Sequence, residues 1–352
     1  MNKSAIKIMI VNDKVDLRNI VRDYLKNDGY SNLLVSENGM SALRRAANDL
    51  PDLIIADYDL PGLNGLQLLK EIRSNRDLAE TPFLLISSEA EQKYVALAAE
   101  HRVNAFIVKP FSQQTLSDKV NHILESKLNP GDSDLLYQDG NRLVLEGRLE
   151  EALERYSQAL TGTRRTLAAI HYKMGRAREK MEQQAEAEED YRQAVNMSEL
   201  YVEAYDALGS LTLRQNRTDE ALGFFRRGVN ISPLNAQRQF NLGESLLAAG
   251  DFEAAEKAFK MALDLDPSQT HALNRLGISL RRQGKLNEAK DYLLRAAEAT
   301  PDDENLFYNL GRVCLDQGDP DAAKSYLDKA LALKPDFKEA LELKSQLGNK
   351  GN

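Results

Sequence analysis

Glycine recurs at positions 140, 175, 209, 243, 277 and 311, and an alanine stands twelve residues after each, at 152, 187, 221, 255, 289 and 323. The step is 34 residues, with one step of 35 between Gly140 and Gly175. A fixed period in this range implies a stack of similar units that bury their apolar faces against one another. Such a stack offers binding surface rather than a catalytic pocket. Each unit reads as two apolar-periodic helices around a Gly- or Asn-containing turn. The units divide as 133–166, 168–201, 202–235, 236–269, 270–303 and 304–337, with 338–347 reading as a terminal capping helix. The small columns predict that the paired helices approach closely where Gly and Ala face each other. Leu208, Leu242, Leu276 and Leu310 fill the first helix, and Tyr191, Phe225 and Phe259 the second. Pro233, Pro267, Pro301 and Pro335 are placed to stop the second helix of the last four units.

The first 125 residues lack this period. Short apolar runs at 7–11, 32–36, 53–57, 83–87 and 105–109 alternate with amphipathic stretches such as 17–27 and 66–74. That alternation predicts a parallel sheet with helices on both faces. Burial on both faces explains why Leu53-Ile54-Ile55-Ala56 is continuously apolar. Polar residues gather where the runs end: Asn12 and Asp13, Asp57, Ser87 and Ser88, Lys109-Pro110. In open α/β sheets the carboxyl ends of the strands form the ligand crevice. Carboxylates gathered there call for a cation, and oxygen donors favour a hard divalent ion such as Mg²⁺. His101 and His122 fall on helical surface patterns and are expected to be solvated.

The stretches Ile8-Met9-Ile10-Val11-Asn12-Asp13, Asp57-Tyr58-Asp59-Leu60-Pro61-Gly62-Leu63-Asn64-Gly65, Leu85-Ile86-Ser87-Ser88 and Phe106-Ile107-Val108-Lys109-Pro110-Phe111 resemble the receiver domain of bacterial response regulators. The resemblance implies a doubly wound (βα)5 flavodoxin-like domain over 1–125. It makes Asp57 the acceptor of a phosphoryl group from a phosphohistidine. It places Asp13, Asp57 and the backbone carbonyl of Asp59 around Mg²⁺, with Asn12 acting through water. Lys109 would pair with a phosphoryl oxygen, while Ser87 and Phe106 would rearrange as switch residues. The family commonly has an acid where this chain has Asn12, so Mg²⁺ is expected to bind more weakly. Asp59 and Glu89 lie near the acceptor and bear on how long the phosphoryl group survives. The family usually holds the Lys-Pro bond cis.

Residues 126–132 contain Pro-Gly and read as a linker. The units that follow resemble tetratricopeptide repeats, which implies an α-solenoid of six helix pairs over 133–337 and a capping helix and tail over 338–352. The fold class is therefore α/β plus all-α. By repeat geometry the groove is lined by Tyr172, Arg176, Asp206, Arg214, Phe240, Leu247, Asn274, Arg281, Tyr308 and Arg312. Aromatic and arginine side chains suit an acidic peptide or helix. The first two units depart from the pattern at Asp139, Arg164, Arg178 and Glu199, which is either ordinary drift or a contact surface for the first domain.

A net charge of −8 argues against a nucleic-acid binder. No apolar stretch approaches the roughly 18 residues that span a bilayer, and no signal peptide is evident. The single Cys314 excludes an internal disulfide, reads as core packing, and is consistent with a cytoplasmic protein. The function implied is a non-enzymatic response regulator of a phosphorelay. A sensor histidine kinase or histidine phosphotransfer protein would serve it on one side, and a peptide or protein ligand of the repeats on the other. The alternatives are a constitutive scaffold with an unphosphorylated receiver-like module, or a phosphorelay shuttle.

Overall fold

The computed structural model describes residues 2–88, 95, 97–98, 100–101, 103–128, 131–160 and 164–349, with side chains at 128, 164–166 and 348–349 left aside. The chain divides into two compact units, Met1–Ala204 and Tyr205–Asn352.

The first unit opens with β1 (Lys7–Val11), α1 (Val15–Asn27), β2 (Asn32–Ser36), α2 (Gly39–Asp49), β3 (Leu53–Asp57), α3 (Gly65–Ser74), β4 (Phe83–Ser87), β5 (Ala105–Val108) and α4 (Gln113–Leu128). All strand pairs are parallel, in the order β2-β1-β3-β4-β5. Strand alternation sorts the core into two layers. Ile8, Ile10, Leu53, Ile55, Leu84 and Ile86 pack on one face with Val21 and Leu25 of α1 and Leu116 and Val120 of α4. Met9, Val11, Ile54, Ala56, Phe83 and Leu85 pack on the other with Ala42 and Ala46 of α2 and Leu68, Leu69 and Ile72 of α3. The fifth strand stops one residue short of its predicted end, leaving Lys109 beyond the ladder.

Helix pairs follow. In the first unit these are α5 (Asp132–Leu145) with α6 (Leu149–Gln158), and α7 (Arg164–Lys180) with α8 (Gln184–Met197). Helix α4 runs on through Ser126 and Lys127, and α5 begins at Asp132; Asn129 and Pro130 lie outside the described residues. Next come α9 (Val202–Arg214) with α10 (Thr218–Ile231), α11 (Ala236–Ala248) with α12 (Phe252–Leu265), α13 (Thr270–Arg282) with α14 (Leu286–Ala299), and α15 (Glu304–Asp316) with α16 (Pro320–Leu333). The last helix is α17 (Lys338–Asn349). Each of α10, α12, α14 and α16 ends two residues before its proline, because the residue preceding proline is driven out of the α region.

Gly faces Ala as expected in three units, where a methyl group on Gly175, Gly277 or Gly311 would lie 3.1, 3.2 or 3.4 Å from the carbonyl oxygen of Ala187, Ala289 or Ala323. The tightest neighbour is a large side chain of the second helix. A methyl group on Gly243 would lie 2.5 Å from Phe259 Cε1, and one on Gly209 2.7 Å from Phe225 Cε1. The same relation joins Gly140 to Tyr156, Gly175 to Tyr191, Gly277 to Leu293 and Gly311 to Leu327. Glycine thus leaves the space into which a large side chain from the second helix packs against the first. The alanines are all fully buried, as is Cys314.

Among the irregular repeats, Asp139 is paired with Arg142 at 2.5 Å and Arg155 at 2.9 Å. Arg178 donates to buried Asp190 at 2.7 Å, with His171 3.4 Å from the same carboxylate. The side chain of Arg164 lies outside the described residues.

Candidate functional site

The register of the sheet brings four segments to one end. Val11 is level with Ala56, Asp57 with Ile86, and Ser87 with Val108. Asn12, Asp57, Ser87 and Lys109 therefore sit at the carboxyl ends of adjacent strands β1, β3, β4 and β5.

Asp57 is the centre of the arrangement, with its side chain 1% exposed. Its Oδ2 accepts from Lys109 Nζ at 2.5 Å and from Asn12 Nδ2 at 2.5 Å, and its Oδ1 accepts from the Asp59 N–H at 3.1 Å. A buried carboxylate requires this degree of compensation, since an unpaired charge away from water is costly. Asn12 is itself fully engaged. Its Oδ1 accepts from the Lys14 N–H at 2.8 Å, its carbonyl from Arg18 Nη1 at 2.6 Å, and its N–H donates to the Ser36 carbonyl at 3.1 Å.

The loop after β3 is fixed by local chemistry. Asn64 caps α3 by accepting from the Gln67 N–H at 2.9 Å, and the Gln67 side chain accepts the Asn64 N–H at 2.9 Å. Gly65 donates to the Tyr58 carbonyl at 2.9 Å, and a methyl group there would lie 2.3 Å from the Asp57 carbonyl oxygen. Helix α3 thus begins against the backbone of Asp57. On the other side, the Lys109 N–H donates to the Ser87 carbonyl at 2.8 Å, and the Lys109-Pro110 bond is cis. Ser87 is fully buried, and Phe106 is partly buried against the α2–α3 layer. Glu89 lies outside the described residues. His122 is exposed as expected, whereas His101 is partly buried, which lowers its pKa from the usual imidazole value.

Among the described residues no cluster of three His, Cys, Asp or Glu side chains is arranged to hold a metal. The oxygen donors available are two carboxylates and a main-chain carbonyl. Asp13 is exposed and has no hydrogen bond or ion pair among the described residues, and the Asp59 carbonyl accepts no main-chain hydrogen bond there. Free oxygens beside a buried carboxylate fit a hard divalent cation. Asn12 presents its NH₂ group to Asp57, and its oxygen is turned away toward Lys14.

The residues predicted to line the repeat groove are partly buried or exposed, and many hold one another. Tyr172 stacks with Tyr191 and Tyr201 at 5.9 and 5.5 Å, and its hydroxyl accepts from Arg176 at 3.3 Å. Phe240 meets His271 edge-on at 4.5 Å. Asn274 accepts from Asn309 at 2.9 Å, and Arg281 donates to Asp316 at 2.8 Å. Arg312 lies over Tyr308 at 5.7 Å, and Tyr308 packs on Phe337 at 5.2 Å. Arg214 is exposed, and Leu247 packs against the apolar core of the repeats. Asp206 is bound to Arg238, which is 2% exposed, through Nη2 at 2.6 Å and Nε at 3.0 Å.

That buried pair was not foreseen, although the columns carry its signal. Arg238 replaces Ile170, Ala204, Ala272, Leu306 and Ala340, all buried apolar residues. Gly228 replaces the buried alanines at 194, 262, 296 and 330, and a methyl group there would lie 3.1 Å from Arg238 Cδ.

The response regulator receiver domain family matches residues 8–121, and the tetratricopeptide repeat family matches 172–236, 240–304 and 280–347. Residues 1–171 therefore include the helix pair α5–α6, which has the repeat packing but lies in neither match. Chemotaxis protein CheY-3 of Vibrio cholerae serotype O1 is 37% identical over 125 residues, 36% of this chain and 95% of the relative. Chemotaxis protein CheY of Pseudomonas aeruginosa is 32% identical over 120 residues, 34% of this chain and 97% of the relative. YrrB, described as a TPR protein with an unusual peptide-binding site, superposes with a TM-score of 0.50 at 22% identity, covering 54% of this chain and 97% of its own. PilF of Pseudomonas aeruginosa gives a TM-score of 0.51 at 20% identity, covering 61% and 97%. These two likenesses speak to the fold alone. No helix among the described residues is long and apolar enough to cross a membrane. The chain belongs to the response regulator receiver family, with tetratricopeptide repeats following its receiver domain.

Proposed function

We propose that this chain is the switching component of a two-component phosphorelay, with 1–125 as receiver domain, 126–132 as linker, and the repeats of 133–337 with their cap as the output surface. Asp57 accepts a phosphoryl group from the phosphohistidine of a sensor kinase or histidine phosphotransfer protein. A carboxylate oxygen bonds to phosphorus as the P–N bond breaks, and the electron pair leaves with the imidazole. The observation that carries this reading is the buried Asp57 carboxylate with the Lys109 ammonium 2.5 Å from Oδ2 at the mouth of a parallel sheet. Lys109 holds the Asp57 carboxylate in place through their 2.5 Å ion pair and then faces the added negative charge, as phosphoryl transfer by positioning and electrostatics requires. Asp13, Asp57 and the Asp59 carbonyl would hold Mg²⁺, which supplies charge neutralisation on the phosphoryl oxygens when bound. Ser87 and Phe106 would respond to the new charge, biasing a two-state element. The protein works in the cytoplasm, and its repeats hold a peptide or protein of acidic character, contacted by Arg176, Arg214 and Arg312.

The test is to incubate the full chain with MgCl₂ and acetyl phosphate and to weigh it intact. Gain of one phosphoryl group, lost in Asp57→Asn, is expected. Failure of the native chain to gain it would sink the switching reading. The constitutive-scaffold alternative draws on Asn12 in place of an acid. It requires partner capture by the chain to be the same for the native protein and Asp57→Asn, with and without phosphodonor.

A further inference from the structure

Asn12 stands where a carboxylate would have completed an acidic pair, and its amide is not a passive substitute. An amide has a donor end and an acceptor end, and neighbours decide which way it faces. Here the Lys14 N–H can only donate, so it takes the amide oxygen at 2.8 Å. The NH₂ group is thereby aimed at Asp57 Oδ2, 2.5 Å away. With Lys109 on the same oxygen and the Asp59 N–H on the other, the carboxylate receives three donors from the described residues before any cation arrives. Reversing the amide to offer its oxygen to a metal-bound water would set its NH₂ group against the Lys14 N–H, donor against donor. The Arg18 guanidinium on the Asn12 carbonyl holds the segment in place at 2.6 Å.

We infer that Asn12 is a positioning residue that keeps Asp57 ordered in the cation-free protein and raises the Mg²⁺ concentration at which this receiver becomes loaded. The inference rests on the reading of Asp13, Asp57 and the Asp59 carbonyl as a Mg²⁺ site. An aspartate at position 12 would place an acceptor against an acceptor at the distance now spanned by the amide. That repulsion is relieved by a cation. The same change adds one negative charge within a few ångström of the ion, an effect of at least about tenfold in affinity even at the dielectric of bulk water. Native Asn12 therefore trades cation affinity for a preformed acceptor. The receiver would respond to phosphodonor only where free Mg²⁺ is plentiful.

The experiment compares the full-length native chain with Asn12→Asp and Asn12→Ala by calorimetric titration with MgCl₂ and by thermal melting in EDTA and in saturating MgCl₂. No phosphodonor enters, so the outcome is independent of whether Asp57 is ever phosphorylated. Asn12→Asp is expected to bind Mg²⁺ at least about tenfold more tightly than the native chain. It is also expected to melt below the native chain in EDTA and to recover in MgCl₂. Asn12→Ala, which removes the donor without adding charge, should melt below the native chain in EDTA while binding Mg²⁺ no more weakly than it does. Equal Mg²⁺ affinity in the native chain and Asn12→Asp overturns the inference alone, as does an unchanged melting temperature of both variants in EDTA. Absence of any Mg²⁺ response in all three proteins overturns the Mg²⁺ reading with it.

Discussion

At Gly65 the backbone of α3 comes within a methyl radius of the Asp57 carbonyl, with Leu85 Cδ1 closing the other side at 2.8 Å. The obstacle is backbone, which has no rotamer to yield with. Gly65→Ala should therefore push the start of α3 away from the end of β3. The expected cost is about 1–3 kcal/mol in urea unfolding, the range for overpacking, with slower acetyl phosphate labelling because Asp57 moves with its carbonyl. Labelling at the native rate would show that the acceptor is held by its side-chain partners alone. Glu256 gives a second test at this scale. Burial pushes its carboxyl up, but hydrogen bonds from Lys260, Lys285 and Gln283 outweigh that and bring it down to about 2. The folded value lies below the ordinary 4.5, so the stabilisation is complete above about pH 4.5 and is lost as pH falls toward 2. Glu256→Gln should be less stable than the native chain at pH 6, with the gap closing by about pH 2. The positions of Asn12, Asp57, Ser87 and Lys109 were readable because strand ends in a parallel sheet converge by topology. The direction of the Asn12 amide was not, because it depends on the Lys14 N–H, a backbone group that carries no letter of its own.

Among elements, the helix pair is the unit that repeats, and its tolerance is set by columns rather than by single residues. Asp206, Gly228 and Arg238 depart from their columns together. The guanidinium occupies space that a methyl group fills in the other units, and Asp206 neutralises it. Removing Arg238 alone leaves a void and takes its guanidinium from a carboxylate that is 26% exposed, so Arg238→Ala should cost about 2–4 kcal/mol. Gly228→Ala should destabilise the native chain by crowding Arg238, yet stabilise Arg238→Ala by about 1 kcal/mol through helix propensity and void filling. Urea unfolding of the four proteins in this cycle measures the coupling. Additive effects would mean that the glycine and the arginine are unrelated. The period announced the helix pairs and their proline stops, since each column repeats one physical requirement. What escaped was the cross-column compensation, because a pair 32 residues apart on successive first helices looks, letter by letter, like two unrelated substitutions. The same holds for Asp139 with Arg155 and Arg178 with Asp190, where polar residues at positions expected to be apolar found partners within their own helix pair.

For the molecule as a whole, a stack of units gains stability chiefly from contacts between neighbours, so its ends are its weak points. Helix α17 closes the array. Ala340 is fully buried, and the helix covers Leu327, Ala330 and Phe337, with Leu343 and Leu347 packed against the same cluster. Truncation after residue 337 would return Leu327 and Phe337 to water. At about 1.5–3 kcal/mol for each large side chain exposed, the loss is about 3–6 kcal/mol. Because contacts are nearest-neighbour, that loss should fall on α15 and α16 and fade toward α11, whereas the amides of β1, β3 and β4 should keep their native protection. Hydrogen exchange resolves the two outcomes. Graded loss of protection from the truncated end is the behaviour of an array whose units report to their neighbours. Uniform loss across sheet and repeats would instead mean that the chain unfolds as one cooperative body, in which case a charge added at Asp57 could be felt at the far end without any wave of local rearrangement.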